Sequence, residues 1–258
     1  MSVTVKSDRE IELMKEAGKM LEHVHFELAK ALRPGMTTRE IDLIGEKLIR
    51  ELGCIPNFLH YNGFPASICV SVNEQVVHGI PSKKKLIKDG DIVSLDCGLI
   101  YKGYHSDAAR TYAVGNVDRE VLKLIKVTRQ SFFEGIKFAR EGYYLHDISN
   151  AIDAYVSGFG YGIVKELTGH GIGKKLHEDP MIPNFRQKKK GIKLKAGMTL
   201  AIEPMINLGT DEVEWLDDDW TVITCDRLPS SHYENTILIT KDDPVILTFG
   251  EYEDKIAV

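Results

Sequence analysis

Ile87-Lys88-Asp89-Gly90-Asp91-Ile92-Val93-Ser94-Leu95-Asp96 reads as a glycine turn, then a short apolar strand that ends in a carboxylate. The same design returns 107 residues later, as Leu194-Lys195-Ala196-Gly197-Met198-Thr199-Leu200-Ala201-Ile202-Glu203. The register holds upstream. Leu32-Arg33-Pro34-Gly35 through Ile41 aligns with Ala139-Arg140-Glu141-Gly142 through Ile148, and Gly53 aligns with Gly160. Asp8-Arg9-Glu10-Ile11 resembles Asp118-Arg119-Glu120-Val121 at a spacing of 110, which implies a three-residue length difference in the first helix. Two copies are too few for a solenoid. They predict a single domain over 1–258 with pseudo-twofold symmetry, its halves running roughly 7–114 and 117–240. Equivalent strands then deliver Asp96 and Glu203 to one central site.

Working outward, each half reads as two helices followed by strands, an α+β pattern. Helical periodicity covers 7–32 and 38–52, with Thr37 or Thr38 as N-cap, and again 117–140 and 145–157. The repeated glycines follow one helical pattern and precede another, as helix C-caps do. Strand-like runs lie at 67–72, 91–97, 108–114, 199–206, 220–224 and 235–240. With 43% hydrophobic and 28% charged residues, the chain has the composition of a globular protein. A net charge of −5 gives no electrostatic reason to expect a nucleic acid partner. The lysine runs at 83–85 and 188–190 read as solvated loop charge. There is no signal-peptide pattern and no spanning apolar run, and Cys54, Cys69, Cys97 and Cys225 lack C-x-x-C spacing. The expectation is a cytoplasmic protein with reduced thiols and no membrane association.

Five metal-ligand types recur in or beside the apolar runs: Asp96, Asp107, His170, Glu203 and Glu234. An unpaired carboxylate is expensive to bury there. A divalent cluster removes that cost and makes hydroxide from water at neutral pH, which points to a metal-dependent hydrolase. Asp96 and Asp107 flank Gly98-Leu99-Ile100-Tyr101-Lys102-Gly103, a hairpin pattern that brings them together. His170 stands between glycines in Thr168-Gly169-His170-Gly171-Ile172-Gly173, which suits a loop in close approach to a ligand and does not match a phosphate-binding loop. Each residue alone has a bland reading: a turn-capping Asp, a strand-end Glu in water. The set shifts the balance. Five protein ligands exceed the need of one catalytic zinc, and suit two carboxylate-rich ions about 3.5–4 Å apart. His78 and His177 are spare donors for a peptide carbonyl or a tetrahedral intermediate.

In this order the residues resemble the methionine aminopeptidases, type I, of the pita-bread metallopeptidases. The strings that carry the resemblance are Asn73-Glu74-Gln75-Val76-Val77-His78-Gly79-Ile80-Pro81, the His170 segment with His177-Glu178, Gly197-Met198-Thr199 leading to Ile202-Glu203-Pro204-Met205, and Asp217-Asp218-Asp219-Trp220-Thr221 before Glu234. The resemblance covers the chain from the first helix to about Thr240. It implies a curved antiparallel sheet flanked by two pairs of helices. It also implies removal of the initiator methionine from nascent proteins when the second residue is small, by a dinuclear metal-activated hydroxide. The residue matching Asp96 holds one metal, those matching Asp107 and Glu234 bridge both, and those matching His170 and Glu203 serve the second. Glu203 is also implied as a proton shuttle. His78 and His177 match substrate-contacting histidines. Tyr61, Phe64, Cys69 and Trp220 match the pocket for the methionine side chain, where a thioether packs well against aromatic rings. The ions would be two of Co, Mn, Fe or Zn per chain, with the ribosome a transient neighbour; no interface signature is legible in the sequence, and a monomer is the default. The chain departs from the pattern at Asn235, where many relatives carry His, and at Phe64, where Tyr is common.

Two rival readings have distinct signatures. A proline peptidase of the same fold usually carries a further N-terminal domain, and fewer than 100 residues precede Asp96 here. A catalytically dead binding module loses metal ligands, and all five are present. Ser2 is small, so the chain is expected to be a substrate of its own activity.

Overall fold

The computed structural model describes residues 3–250 and 252. Ser2 therefore lies outside the described residues. The first half runs α1 (Asp8–Ala31), α2 (Thr38–Glu51), β1 (Ile55–Pro56), β2 (Cys69–Val72), β3 (Gln75–Val77), β4 (Ile92–Tyr101) and β5 (Tyr104–Ala113). The second runs α3 (Arg119–Ile136), α4 (Leu145–Val156), β6 (Gly162–Ile163), β7 (Gly169–Gly171), β8 (Glu178–Ile182), β9 (Thr199–Ile202), β10 (Met205–Asn207), β11 (Val213–Trp215), β12 (Val222–Thr224), β13 (Ser230–His232), β14 (Glu234–Leu238) and β15 (Val245–Ile246).

The central sheet is antiparallel, in the order β1-β4-β5-β14-β9-β7-β8, with β2 also on β4 and β15 also on β14. Two three-stranded sheets, β13-β10-β6 and β11-β12-β3, fringe it. The pseudo-twofold passes between β5 and β14, where Glu234 pairs with Ala109. The repeat is visible bond by bond. Gly35 N–H donates to Ile87 O, and its counterpart Gly142 donates to Leu194 O. Thr37 bridges Leu86 as Tyr144 bridges Lys193. Gly90 and Gly197 both take positive φ, +91° and +89°, which an L side chain disfavours.

Helix signals act as expected at the starts and less so at the ends. Thr37 caps α2, accepting from Glu40 N while Glu40 reaches back to Thr37 N. Gly35 is not a C-cap: α1 ends at Leu32 in an extended conformation, and Gly35 serves the turn that follows. Gly53 does follow the last turn of α2 with positive φ.

Strand alternation decides which face carries what. Val93, Leu95, Cys97 and Leu99 of β4 turn to one face and pack with Leu21, Val24 and Leu28 of α1 and Ile41 and Ile49 of α2. Leu200 and Ile202 of β9 do the same with Leu124 and Phe132 of α3 and Ile148 and Ile152 of α4. Asp96 and Glu203, one residue out of phase, are left on the face away from the helices. No helix among the described residues is long and apolar enough to cross a membrane.

Candidate metal centre

The β4–β5 hairpin closes through Lys102-Gly103, both with positive φ, as a two-residue turn of this hand requires. The expected turn therefore shrinks to its last two residues, and Gly98 lies inside β4 opposite Asp107. A side chain at Gly98 would run into Asn57, whose Nδ2 lies 2.4 Å from the place a Cβ would take. Asp96 faces Ala109, so both aspartates lie on one face, in hydrogen-bond contact with each other. Thr236 fixes the backbone of Asp107, accepting from its N–H at 3.1 Å and donating to its carbonyl at 2.9 Å.

On the other side of the twofold, the run expected as one strand over 199–206 breaks at Glu203-Pro204, since Pro204 has no N–H for the ladder. Glu203 sits at that break. Glu234 opens β14, with its carbonyl held by Arg110. His170 is on a strand, not a loop. Its flanking glycines serve neighbouring backbone and not a ligand: a Cβ on Gly169 would lie 2.4 Å from Ala201 O, and one on Gly171 2.2 Å from Asp179 O. His170 Nδ1 bonds Gly171 O at 2.9 Å, and its Nε2 lies 3.7 Å from Glu203 Oε1.

All eleven residues singled out from the sequence line one cavity of about 170 Å³. The acids, His170 and Glu203 make one wall. Phe64, Cys69 and Trp220 make an apolar wall, with Phe64 and Trp220 edge to face at 5.1 Å. Tyr61 OH meets His177 Nδ1 at 2.7 Å, and His78 stands edge-on to Trp220. Behind His177, Lys6 Nζ and Thr4 Oγ1 each hold Glu178 at 2.7 Å, tying the N-terminal segment to that loop.

Sequence reasoning missed Phe58, Asn62 and Leu176 of the cavity wall, and above all His232. His232 is 1% exposed, and its Nε2 is 3.5 Å from Glu203 Oε2. A strand begun three residues earlier would have put it on the face of Glu234. Asn235 points elsewhere. It is fully buried and accepts from Arg110 and Thr248, so the departure from His at this position bears on the strand behind the site.

Burial dominates the electrostatics. It pushes Asp96 up to about 7 and Glu203 up to about 8, and it lifts Asp107 and Glu234 well above the carboxylate range, with the neighbouring acids adding to it for the last two. The same burial holds His170 down to about 3 and His232 to about 4, so both imidazoles are neutral donors. Cys69 is pushed up by burial and by Asp96, and stays a thiol. Asp96 Oδ1 and Glu234 Oε1 have no hydrogen-bond partner among the described residues. Four crowded carboxylates, two of them with an orphaned oxygen, and a neutral imidazole fit hard or borderline divalent cations. Ligand atoms of Asp107, His170 and Glu234 already lie within 4.8 Å of one another.

Comparison with known proteins agrees with this picture. Residues 12–241 match metallopeptidase family M24. A methionine aminopeptidase of Clostridium acetobutylicum is 50% identical over 249 residues, 96% of this chain and 100% of that protein. The crystal structure of a methionine aminopeptidase from Thermotoga maritima superposes with a TM-score of 0.94 at 41% identity, over 96% of this chain and 100% of the other. A prolidase from Pyrococcus furiosus reaches 0.76 at 24% identity and is matched over 66% of its length, a likeness of fold alone.

Proposed function

This chain belongs to metallopeptidase family M24, a family of metal-dependent hydrolases, and from that premise we infer that it removes the N-terminal methionine of polypeptides. Its fold is the pita-bread fold of those enzymes. The observation that carries the reading is the cavity itself, in which a carboxylate–histidine cluster faces an apolar aromatic and thiol wall. One wall suits divalent ions and the other suits a thioether side chain.

We propose the finer assignment as follows. Asp96, Asp107, His170, Glu203 and Glu234 would hold two divalent ions, Asp107 and Glu234 being the acids placed to serve both. When bound, such a pair supplies an activated water and polarises the scissile carbonyl. Glu203, a carboxylate beside the place of the attacking water, would carry a proton towards the leaving amine. His78 and His177 grip the backbone around the first peptide bond, and the Tyr61–His177 hydrogen bond fixes the second imidazole. Tyr61, Phe64, Cys69 and Trp220 take the methionine side chain. Residues 1–258 act as one catalytic domain, a cytoplasmic monomer meeting nascent chains near the ribosome.

The test is the initial rate on Met-Ala-Ser, Met-Leu-Ser and Ala-Pro-Ala, with metal-stripped protein and Mn²⁺, Fe²⁺, Co²⁺ or Zn²⁺ added back. Cleavage of Met-Ala-Ser that depends on metal is the expected result. Cleavage of the proline peptide instead moves the chain to the proline peptidases. Bound metal without turnover on any of them makes it a binding module.

A further inference from the structure

We propose that His232 is a sixth protein ligand of the metal centre, a second imidazole beside His170 for the ion that Glu203 holds. The inference rests on the metallopeptidase reading and adds a donor to it. Three observations converge on His232. It is 1% exposed, and neither ring nitrogen has a hydrogen-bond partner among the described residues, although a buried polar group is nearly always satisfied. Second, the two imidazoles straddle one carboxylate: His170 Nε2 is 3.7 Å from Glu203 Oε1, and His232 Nε2 is 3.5 Å from Glu203 Oε2. Donors bonded to one ion at about 2.0–2.2 Å stand roughly 3–4 Å apart. Atoms of Glu203, His232 and Glu234 also fall within 4.8 Å of one another.

The third observation is the symmetry. Asp107 opposes Gly98 on β4, and His232 opposes Met205 in the matching pair of the second half. Gly98 and Met205 are 107 residues apart, the spacing of the repeat. The return strands match too, since Val114 N–H bonds Asp91 O as Ile239 N–H bonds Met198 O. His232 thus occupies the backbone position that Asp107 occupies in the first half, and the scaffold aims both at the centre. A second imidazole makes that ion's surroundings richer in nitrogen and shifts its preference from Mn²⁺ towards Fe²⁺, Co²⁺ or Zn²⁺.

The rival role is a hydrogen bond from His232 to Glu203 that leaves the metal untouched. X-ray absorption of the Co²⁺-loaded protein counts imidazoles, and His232→Gln and His232→Ala separate the two roles, because glutamine keeps a hydrogen bond and removes the nitrogen donor. The expected result is two imidazoles per chain in the wild type and one in both variants. Affinity for the second Co²⁺ falls roughly 10-fold or more in both. One imidazole in the wild type, or wild-type Co²⁺ affinity in the Gln variant, overturns the proposal. The wild-type count stands even if a variant does not fold. Cleavage of Met-Ala-Ser by the same wild-type preparation keeps the two ideas apart: turnover with one imidazole ends this inference and leaves the peptidase reading intact.

Discussion

At the centre of the molecule the first half presents Asp96, Asp107 and Ala109, and the second half presents Glu203, His232 and Glu234 at the matching backbone positions. Around them the backbones are alike, down to the glycines at 90 and 197 and the bridges at 37 and 144. Turn geometry and ladder register are shared between the halves, while the side chains aimed inward differ. Asp96 and Asp107 offer oxygen alone, whereas on the other side His170 adds nitrogen to the carboxylate of Glu203. Two ions held there would meet unlike surroundings, bind with unlike affinities and fill in sequence.

The largest effect comes from removing Asp107 or Glu234, the acids proposed to serve both ions. Asp107→Asn or Glu234→Gln should lower kcat/KM on Met-Ala-Ser by well over the roughly 100-fold that the loss of an outer-shell partner brings. The same substitutions should raise the melting temperature of the metal-stripped protein, because they remove the cost of burying an ionisable carboxyl, to which the neighbouring acids add. A fall in both states would mean that these acids are structural.

Next in size is the pH response of the metal-stripped protein. The folded pKa values of Asp96 and Glu203 are raised, to about 7 and about 8. Groups raised on folding give stability that is full below their unfolded values, near 4, and lost as pH climbs through the folded ones. The melting temperature should therefore decline between about pH 4 and 8. Saturating metal should abolish or reverse the slope, because metal binds the ionised form. A flat metal-free profile would place these acids in contact with water.

Gly98→Ala probes a place where the halves differ, since Met205 stands at the matching position. The clash with Asn57 should cost roughly 1–3 kcal/mol, read as a lower melting temperature. The smallest effect is at the helix caps. Thr37→Ala should destabilise by about 1 kcal/mol in denaturant titration, and Tyr144→Ala should lose less at the cap, because Tyr144 makes no side-chain capping bond.

The repeat, four helices and the paired carboxylates were legible because they rest on local signals: glycines at fixed spacing, caps, and apolar alternation. What escaped depends on contacts distant in sequence. The strand over 199–206 reads as continuous until Pro204 removes its N–H. Gly169 and Gly171 look like a loop, and only the nearness of β8 and β9 shows that they are there to let strands approach. His232 escaped because the strand was begun at Asn235, beyond the Tyr233 step that ends β13 and precedes β14. Asp42 is a buried carboxylate of the opposite kind, satisfied by the N–H groups of Ser67 and Ile68 and by Arg39, and nothing local distinguishes it from a ligand. Partners decide which buried acid is structural, and partners are not in the local pattern.

The most direct measurement is calorimetric titration of metal-stripped protein with Co²⁺, followed in the same cell by Met-Ala-Ser. Binding of two ions per chain in separable steps, with turnover appearing as they fill, is the expected result. A protein that binds no divalent ion yet cleaves the peptide, or one whose Glu234→Gln variant binds Co²⁺ as the wild type does, would contradict it.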